Sequence, residues 1–346
     1  MNNYLKDILD QPRSLRQAFK TYIDPENLQK MKDLSKSKFD KIIFTGMGSS
    51  HYACYGASIL LNQNGFFTMV KSTSQLLHYE LNLINERTLL VMVSQSGESG
   101  EIVSLISKLS PQCPVVAITN NPESTLGRRG NHIFLLQVAD EESVSTRTYL
   151  SSLIILNLVA QSLLKRLDEV TIQQYRKALD DMEQFLSGYS ETLEKLKAFL
   201  KFPPYVCLVG RGYAHSTIHA GALFIKEAVK YPSISLDSGE FRHGPFEMVD
   251  GNFTGIIVAP EGLTYDISRK LALNIIDRGG KVLFITNQDP HISHEGFMAI
   301  QFPPREEFLT PILDILPIQL TVNLLAESRN LEVGKFRWSS KITNIE

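Results

Sequence analysis

The sequence predicts an α/β protein built from two similar parallel-sheet domains in tandem, each sheet covered by helices on both faces. Three observations predict it. Short apolar runs alternate with helical patterns along most of the chain, which is the order of βαβ units. The apolar runs show little polar alternation, as expected of strands buried on both faces. The second half of the chain also repeats the first. Ile43-Phe44-Thr45-Gly46-Met47-Gly48 matches Cys207-Leu208-Val209-Gly210-Arg211-Gly212, Val93 to Gly97 matches Val258 to Gly262, and Ile118-Thr119-Asn120 matches Ile285-Thr286-Asn287. The offsets are 210 − 46 = 164, 262 − 97 = 165 and 286 − 119 = 167. Three matches in one order at nearly one spacing indicate a duplicated domain.

Residues 5–35 read as polar helix, with Asp24 as cap and Pro25 in the first turn of a second helix. Lys41–Thr45 is a strand and Ser50–Leu61 a helix. Phe66–Val70 is a strand, followed by a short helix over Ser74–Leu81. Thr88–Val93 is a strand and Glu101–Leu109 a helix. Val115–Thr119 is a strand, Pro122-Glu123-Ser124 turns into a short helix, and His132–Leu136 is the next strand. Thr146–Leu164 is a long apolar helix. Ile172–Leu200 is more polar, lacks strand signals and ends at Pro203-Pro204. The expected divisions are a helical segment 1–35, a first domain 36–168, a connecting helix 169–200, a second domain 201–330 and a tail 331–346.

With 346 residues the chain suits two domains. A net charge of -2 gives no reason to expect nucleic acid or an anionic membrane as partner. An anionic ligand must then be held by a local site. Cys54, Cys113 and Cys207 are few and scattered, as buried reduced thiols are, and no Cys/His pair has zinc-ligand spacing, so no metal is expected. There is no signal-peptide pattern, and no run reaches membrane-spanning length, which predicts a soluble, cytoplasmic protein.

The strand Thr88–Val93 empties into Ser94-Gln95-Ser96-Gly97-Glu98-Ser99 before a helix. Such a turn sets backbone N–H groups and a helix dipole end together, and phosphate is the usual guest. Ser94, Ser96 and Ser99 add hydroxyls. The alternative is an ordinary strand-to-helix turn with serine caps. In the second copy Ala259-Pro260-Glu261 replaces Ser94-Gln95-Ser96. A proline without an N–H and an added acid leave the phosphate site to the first copy alone. Gly46-x-Gly48-Ser49-Ser50 and Gly210-x-Gly212 also follow strands, but neither has the third glycine of a dinucleotide fingerprint. No organic cofactor is expected. Ser145 or Thr146 is a natural cap for the long helix, or a further source of ligand hydroxyls.

In His219–Tyr231 and the Ile218 just before it, one helical stripe is Ile218, Ala222, Ile225 and Val229, and a second face is Ala220, Leu223 and Phe224. Glu227 lies among the second set. Desolvation would raise its pKa and suit it to accept a proton near neutral pH; an exposed Glu paired with Lys226 or Lys230 is the alternative. His243 stands just before Gly244-Pro245, in a loop, where it could reach a ligand or simply be solvated. Lys341 lies in a C-terminal tail that also carries Trp338.

Taken together, Gly-x-Gly-Ser-Ser, Ser-Gln-Ser-Gly-Glu-Ser, Ser-Val-Ser-Thr, Gly-Arg-Gly-Tyr, Lys-Glu, Glu-x-x-His-Gly-Pro and the tail lysine resemble the duplicated sugar-isomerase (SIS) domain family. Within it the chain resembles the isomerase half of the glucosamine-6-phosphate synthases, from about Lys41 to Glu346. The resemblance implies two tandem flavodoxin-like domains and a homodimer or higher homo-oligomer. It implies that Ser50, Ser94, Gln95, Ser96, Ser99 and Ser145 surround a sugar phosphate, with Gly48 and Ser49 beside them. Ser99 stands where the synthases usually have Thr. Glu227 matches the base that moves a proton between C1 and C2. His243 matches the ring-opening residue, contributed by the neighbouring subunit. Lys341 matches a lysine that contacts the open-chain sugar, and Glu240 an acid of unassigned role. A glutaminase domain is not expected before Lys41, and a lysine one helical turn before the base is Phe224 here. Both departures turn the expectation from glutamine-dependent synthesis to a single-chain isomerase or deaminase acting on a phosphorylated amino sugar. A fructosamine-phosphate deglycase and a non-catalytic phosphosugar regulator are the alternatives.

Overall fold

A computed structural model describes residues 1–141 and 144–338. In chain order the elements are α1 (Asn3–Tyr22), α2 (Pro25–Leu34), β1 (Lys41–Gly46), α3 (Gly48–Asn62), β2 (Thr68–Ser72), α4 (Thr73–His78), β3 (Thr88–Val93), α5 (Gly100–Lys108), β4 (Val115–Thr119), α6 (Thr125–Arg129), β5 (His132–Leu135) and α7 (Arg147–Leu163). Then come α8 (Glu169–Ser187), α9 (Tyr189–Leu200), β6 (Val206–Gly210), α10 (Ala214–Phe224), β7 (Ser233–Asp237), α11 (Ser238–Arg242), β8 (Thr254–Val258), α12 (Tyr265–Ile276), β9 (Lys281–Thr286), β10 (Phe297–Gln301) and α13 (Pro311–Ser328).

Two five-stranded parallel sheets result. The first has the order β2-β1-β3-β4-β5 and the second β10-β9-β8-β6-β7. Read from its other edge, the second order is the first one repeated, so the duplication seen in the sequence is a duplication of topology. In both, the chain reverses the direction of sheet growth between the first and third strands of the copy. That reversal opens a crevice at the carboxyl ends of the strands. Gly46 sits beside Val93 at the first crevice, and Gly210 beside Val258 at the second.

Each strand forms where an apolar run can be buried on both faces. Every residue of β3, β4, β6 and β8 is buried. Around the first sheet Ile43, Leu90, Met92, Ile102, Leu105, Val115 and Leu126 make one core. Around the second, Val209, Phe241, Phe253, Ile257, Leu271, Ile275 and Phe284 make another. Cys54, Cys113 and Cys207 are free and buried, as expected. The strand expected at Phe66 begins instead at Thr68. Gly65 takes a left-handed φ of 84°, and Phe66 and Phe67 remain exposed on the approach to this edge strand.

The chain divides into two compact units that interleave along the sequence. One holds Met1–Pro12 and Lys177–Phe336, the other Arg13–Glu141 and Ser145–Arg176. The expected helical segment 1–35 is thus shared. At its start Gln11 Nε2 donates to Gln319 at 2.9 Å, in the unit of the second sheet. Farther on Tyr22 bonds Ser151 at 2.6 Å and the Leu136 carbonyl, in the unit of the first. The expected single connecting helix is two helices, because the chain breaks at Gly188. Asp24 caps α2 as read from the sequence, accepting from the Asn27 N–H at 2.7 Å.

One expectation needs correction. The helix Glu307–Ser328 is long and apolar enough to cross a membrane by length and composition. Its most apolar window is 94% buried inside the protein, so this apolarity is used in the core.

Candidate active site

The first crevice gathers the hydroxyls. The alignment of Gly46 with Val93 brings the loop entering α3 beside the loop leaving β3. The N-termini of α3 and α5 both open there, and neither has a side-chain cap among the described residues. Their first N–H groups are therefore available to an anion. Gly48 opens α3 with a left-handed φ of 54° and is exposed. Gly97 needs its φ of 68°, and a Cβ there would lie 2.0 Å from Ser124 Oγ.

Inside the β3–α5 turn, Ser94 Oγ accepts from the Gly97 N–H at 3.2 Å and lies 3.3 Å from Ser99 Oγ. Ser96 Oγ accepts from the Glu98 N–H at 3.2 Å. The Gln95 backbone carbonyl accepts from the Asn120 N–H at 2.8 Å, while its side-chain amide donates to Asp140 at 3.0 Å. Ser49 Oγ donates to Ser145 Oγ at 3.1 Å, so the loop before α7 joins the same group. Ser50 is half-buried in the first turn of α3. The structure thus links Ser94 with Ser99, and Ser49 with Ser145, and sets Ser50 in the first turn of α3 and Ser96 in the β3–α5 turn, at the mouth of one crevice.

Sequence reasoning missed the residue that frees Ser145. The sequence offers Ser145 or Thr146 as the cap of α7, or as a source of ligand hydroxyls, but a buried carboxylate caps the helix. Glu141 accepts from the Thr146 and Thr148 N–H groups at 2.7 and 3.1 Å and from their hydroxyls at 2.9 and 2.7 Å. An acid at a helix N-terminus satisfies orphan donors and opposes the dipole. Ser145 is then left to face Ser49.

Glu227 lies in the other unit. After Phe224 the α10 helix widens into one π-turn over Ile225–Val229, a feature that often marks a working site. Lys230 ends it in the left-handed region at φ 55°. Ile225, Ala228 and Val229 are buried, whereas Glu227 is half-buried. Burial pushes the Glu227 carboxyl up to about 7, against the opposing pull of Lys230 and Lys226. Lys230 Nζ donates to the backbone carbonyls of Glu227 and Lys335, each at 2.6 Å. Lys226 is exposed and reaches the Ser233 carbonyl at 3.4 Å. Phe224, where the synthase pattern has lysine, is fully buried.

His243 closes α11 and is exposed, its N–H donating to the Glu240 carbonyl at 3.0 Å. Glu240 is exposed too. Asp237 holds the start of α11, accepting from the Gly239 N–H at 2.6 Å and meeting His215 Nε2 at 3.0 Å. Lys341 lies outside the described residues. No group of three or more metal-ligating side chains occurs among the described residues.

The second crevice is built differently. The Glu261 N–H donates to Asn287 Oδ1 at 2.6 Å. The Glu307 carboxylate is placed against the two turns, with Oε1 3.7 Å from a Cβ built on Gly212 and Oε2 2.8 Å from one built on Gly262. Burial pushes the Glu307 carboxyl up. The protein's own acid therefore stands at the mouth that is lined by hydroxyls in the first copy.

The model of the SIS domain matches residues 33–162 and 204–328, one stretch for each sheet. The glutamine–fructose-6-phosphate aminotransferase of Pyrococcus horikoshii is 27% identical over 351 residues, covering 99% of this chain and 57% of that protein. That of Thermococcus kodakarensis is 26% identical, covering 99% and 58%. The chain thus spans a little over half the length of these relatives. Among solved structures, the C-terminal domain of the Francisella tularensis glucosamine-fructose-6-phosphate aminotransferase superposes with a TM-score of 0.84 at 21% identity, covering 97% of this chain and 98% of that one. Thermotoga maritima glucosamine-6-phosphate deaminase gives 0.80 at 20% identity, with 99% of each chain covered. The tagatose-6-phosphate ketose/aldose isomerase of Escherichia coli gives 0.78 at 18%, covering 98% and 96%. These structures share the fold.

Proposed function

This chain belongs to the SIS domain family, and from that premise we propose that it is a phosphosugar isomerase/deaminase acting on an amino sugar phosphate of the glucosamine-6-phosphate type. The observation that carries the reading is Glu227, a half-buried carboxyl on a π-turn, pushed to about 7. Such a group is half-ionised near neutral pH and can both take and return a proton.

In this reading the hydroxyls of Ser50, Ser94, Ser96, Ser99 and Ser145, with Gln95, hold the phosphate of the open-chain sugar. His243 moves the proton that opens the ring. Glu227 takes the proton from C2, and the electron pair flows into the C1 carbonyl. Glu227 then delivers the proton to C1 while the amino group gives up a proton to the C1 oxygen, leaving a C1 hydroxyl and an imine at C2. Water adds to that carbon and ammonia leaves, so the product is a ketose phosphate. Lys341 contacts the open chain. The sugar carbonyl and the amine supply the electron sink, and the reading calls on no metal or organic cofactor. The working unit is a homodimer in which each subunit lends His243 to its neighbour.

Phe224 favours this reading over the synthase's own chemistry, since a phenyl ring at that position offers no ammonium. Release of an amino acid from a fructosamine phosphate is the alternative, because it uses the same two carbons with the proton moved from C1 to C2, which leaves the imine at C1 for water to hydrolyse. The test is incubation with a panel of phosphorylated amino sugars and fructosamines, with assay of amine and sugar. Ammonia release supports the proposal, and amino-acid release moves it to the deglycase. Aldose–ketose exchange without amine release leaves a plain isomerase. Tight binding with no turnover of any kind would make the chain a phosphosugar sensor.

A further inference from the structure

The phosphate turn contains an acid that ought to harm it. Glu98 is placed between Gly97 and Ser99, among the groups assigned to an anionic phosphate. Its carboxylate is committed elsewhere. Oε1 accepts from the Thr125 N–H at 2.5 Å and Oε2 from Thr125 Oγ1 at 2.9 Å, at the first residue of α6. The Leu126 N–H donates to the Gly97 carbonyl at 3.2 Å. The Gly97 backbone itself is packed against Ser124, which caps α6 through the Gly127 N–H at 3.1 Å. The turn is thus strapped to the start of α6 at two successive residues, Gly97 and Glu98.

We infer that Glu98 is a positioning residue for phosphate, which holds the turn in its binding shape through Thr125 although its charge alone opposes an anion. The inference rests on the phosphate reading of the first crevice. The two effects of Glu98 have opposite signs, and this makes them separable. If only the charge mattered, removing it would tighten phosphate binding by lowering repulsion. If the strap matters, removing it loosens the turn and weakens binding.

The experiment uses the full chain with inorganic phosphate as the probe, titrated by calorimetry, with unfolding followed alongside. Glu98→Ala removes charge and strap, and phosphate affinity should fall roughly five- to tenfold, the size expected from losing a capping carboxylate. Glu98→Gln removes the charge alone. Its oxygen can accept from the Thr125 N–H and its amide can donate to Thr125 Oγ1, so affinity should return to the wild-type value or exceed it. Thr125→Val deletes one of the two bonds without touching Glu98, and should lose affinity by about threefold; it keeps the test open should Glu98→Ala not fold. Equal or tighter binding by Glu98→Ala, undiminished binding by Thr125→Val, or a Glu98→Gln variant as weak as Glu98→Ala would each overturn the inference. A wild-type chain that binds no phosphate would instead remove the crevice reading, and this inference with it.

Discussion

Replacing Glu227 with Gln should stabilise the protein at pH 8 while removing its turnover. The carboxyl is moved from its ordinary 4.5 to about 7 by burial. A shift of 7 − 4.5 = 2.5 on that scale corresponds to roughly 3 kcal/mol between its two protonation states. Half-burial lets water carry part of this, so about 2 kcal/mol is the working figure. The sign follows from proton linkage. Below pH 4.5 the group is neutral in both folded and unfolded chains and has no effect. Between 4.5 and about 7 the folded chain holds the extra proton, so stability falls as pH rises. Above about 7 the full penalty is present. Gln is neutral at every pH and escapes it. Urea denaturation at fixed protein concentration should show Glu227→Gln more stable than wild type at pH 8 and nearly equal at pH 4. Buried Asp314 is also pushed up to about 7, so the wild-type pH curve holds both groups and only the difference between variant and wild type isolates Glu227. Turnover should drop by a factor of about 10² to 10⁴ in the variant. In wild type kcat/KM should rise with pH through an apparent pKa near 7. A variant no more stable than wild type at pH 8, or one that keeps its turnover, would refute the claim of a desolvated base.

Other perturbations address the rest of the site. Gly97→Ala puts a side chain on a φ of 68° and 2.0 Å from Ser124 Oγ. Phosphate affinity measured by calorimetry should fall more than about tenfold, since left-handed backbone alone costs roughly 1–2 kcal/mol and the overlap adds to it. Glu141→Ala strips four hydrogen bonds from the start of α7. Denaturation should show a loss of about 2–4 kcal/mol from the orphaned buried donors. If His243 serves the neighbouring subunit, mixing inactive Glu227→Gln and His243→Ala dimers and letting subunits exchange should restore about a quarter of wild-type turnover. Half the dimers are then mixed, and each mixed dimer has one intact site. No recovery would place His243 in the site of its own chain.

Much of the fold was readable because the strongest local signals coincide with the most buried elements. Thr88–Val93 and Val115–Thr119 were bounded to the residue, since both are buried apolar runs ending in Ser or Thr turns. The Ser94–Ser99 turn was legible for the same reason. What escaped depends on partners distant in sequence or invisible to periodicity. The cap of α7 comes from Glu141, ahead of the serine and threonine that composition favours. The π-turn at Ile225–Val229 leaves the apolar stripe almost unchanged, so no periodicity reveals it. Chain position alone does not say which sheet unit the halves of α1 join. That is decided by which residues its two ends meet, Gln319 at one and Ser151 with Leu136 at the other.

If the first crevice holds phosphate as proposed, the two copies illustrate how one fold can drop a site and keep its shape. Both keep the strand order and both keep a glycine where the first strand meets the third. Those features are required by the backbone and would survive any change of ligand. The donors are what differ. In the first copy the helix ends open toward Ser49, Ser94 and Ser99, with Glu98 turned away onto Thr125. In the second, Pro260 has no N–H to offer, the Glu261 N–H is taken by Asn287, and the Glu307 carboxylate lies against both glycine turns. An acid in the first copy is led out of the crevice, whereas an acid in the second is led in. A dianionic phosphate arriving at the second mouth would meet a partly desolvated carboxyl and too few donors to offset the repulsion. On that reading the second copy's first helix is free for a different task, and it runs on into the turn bearing Glu227.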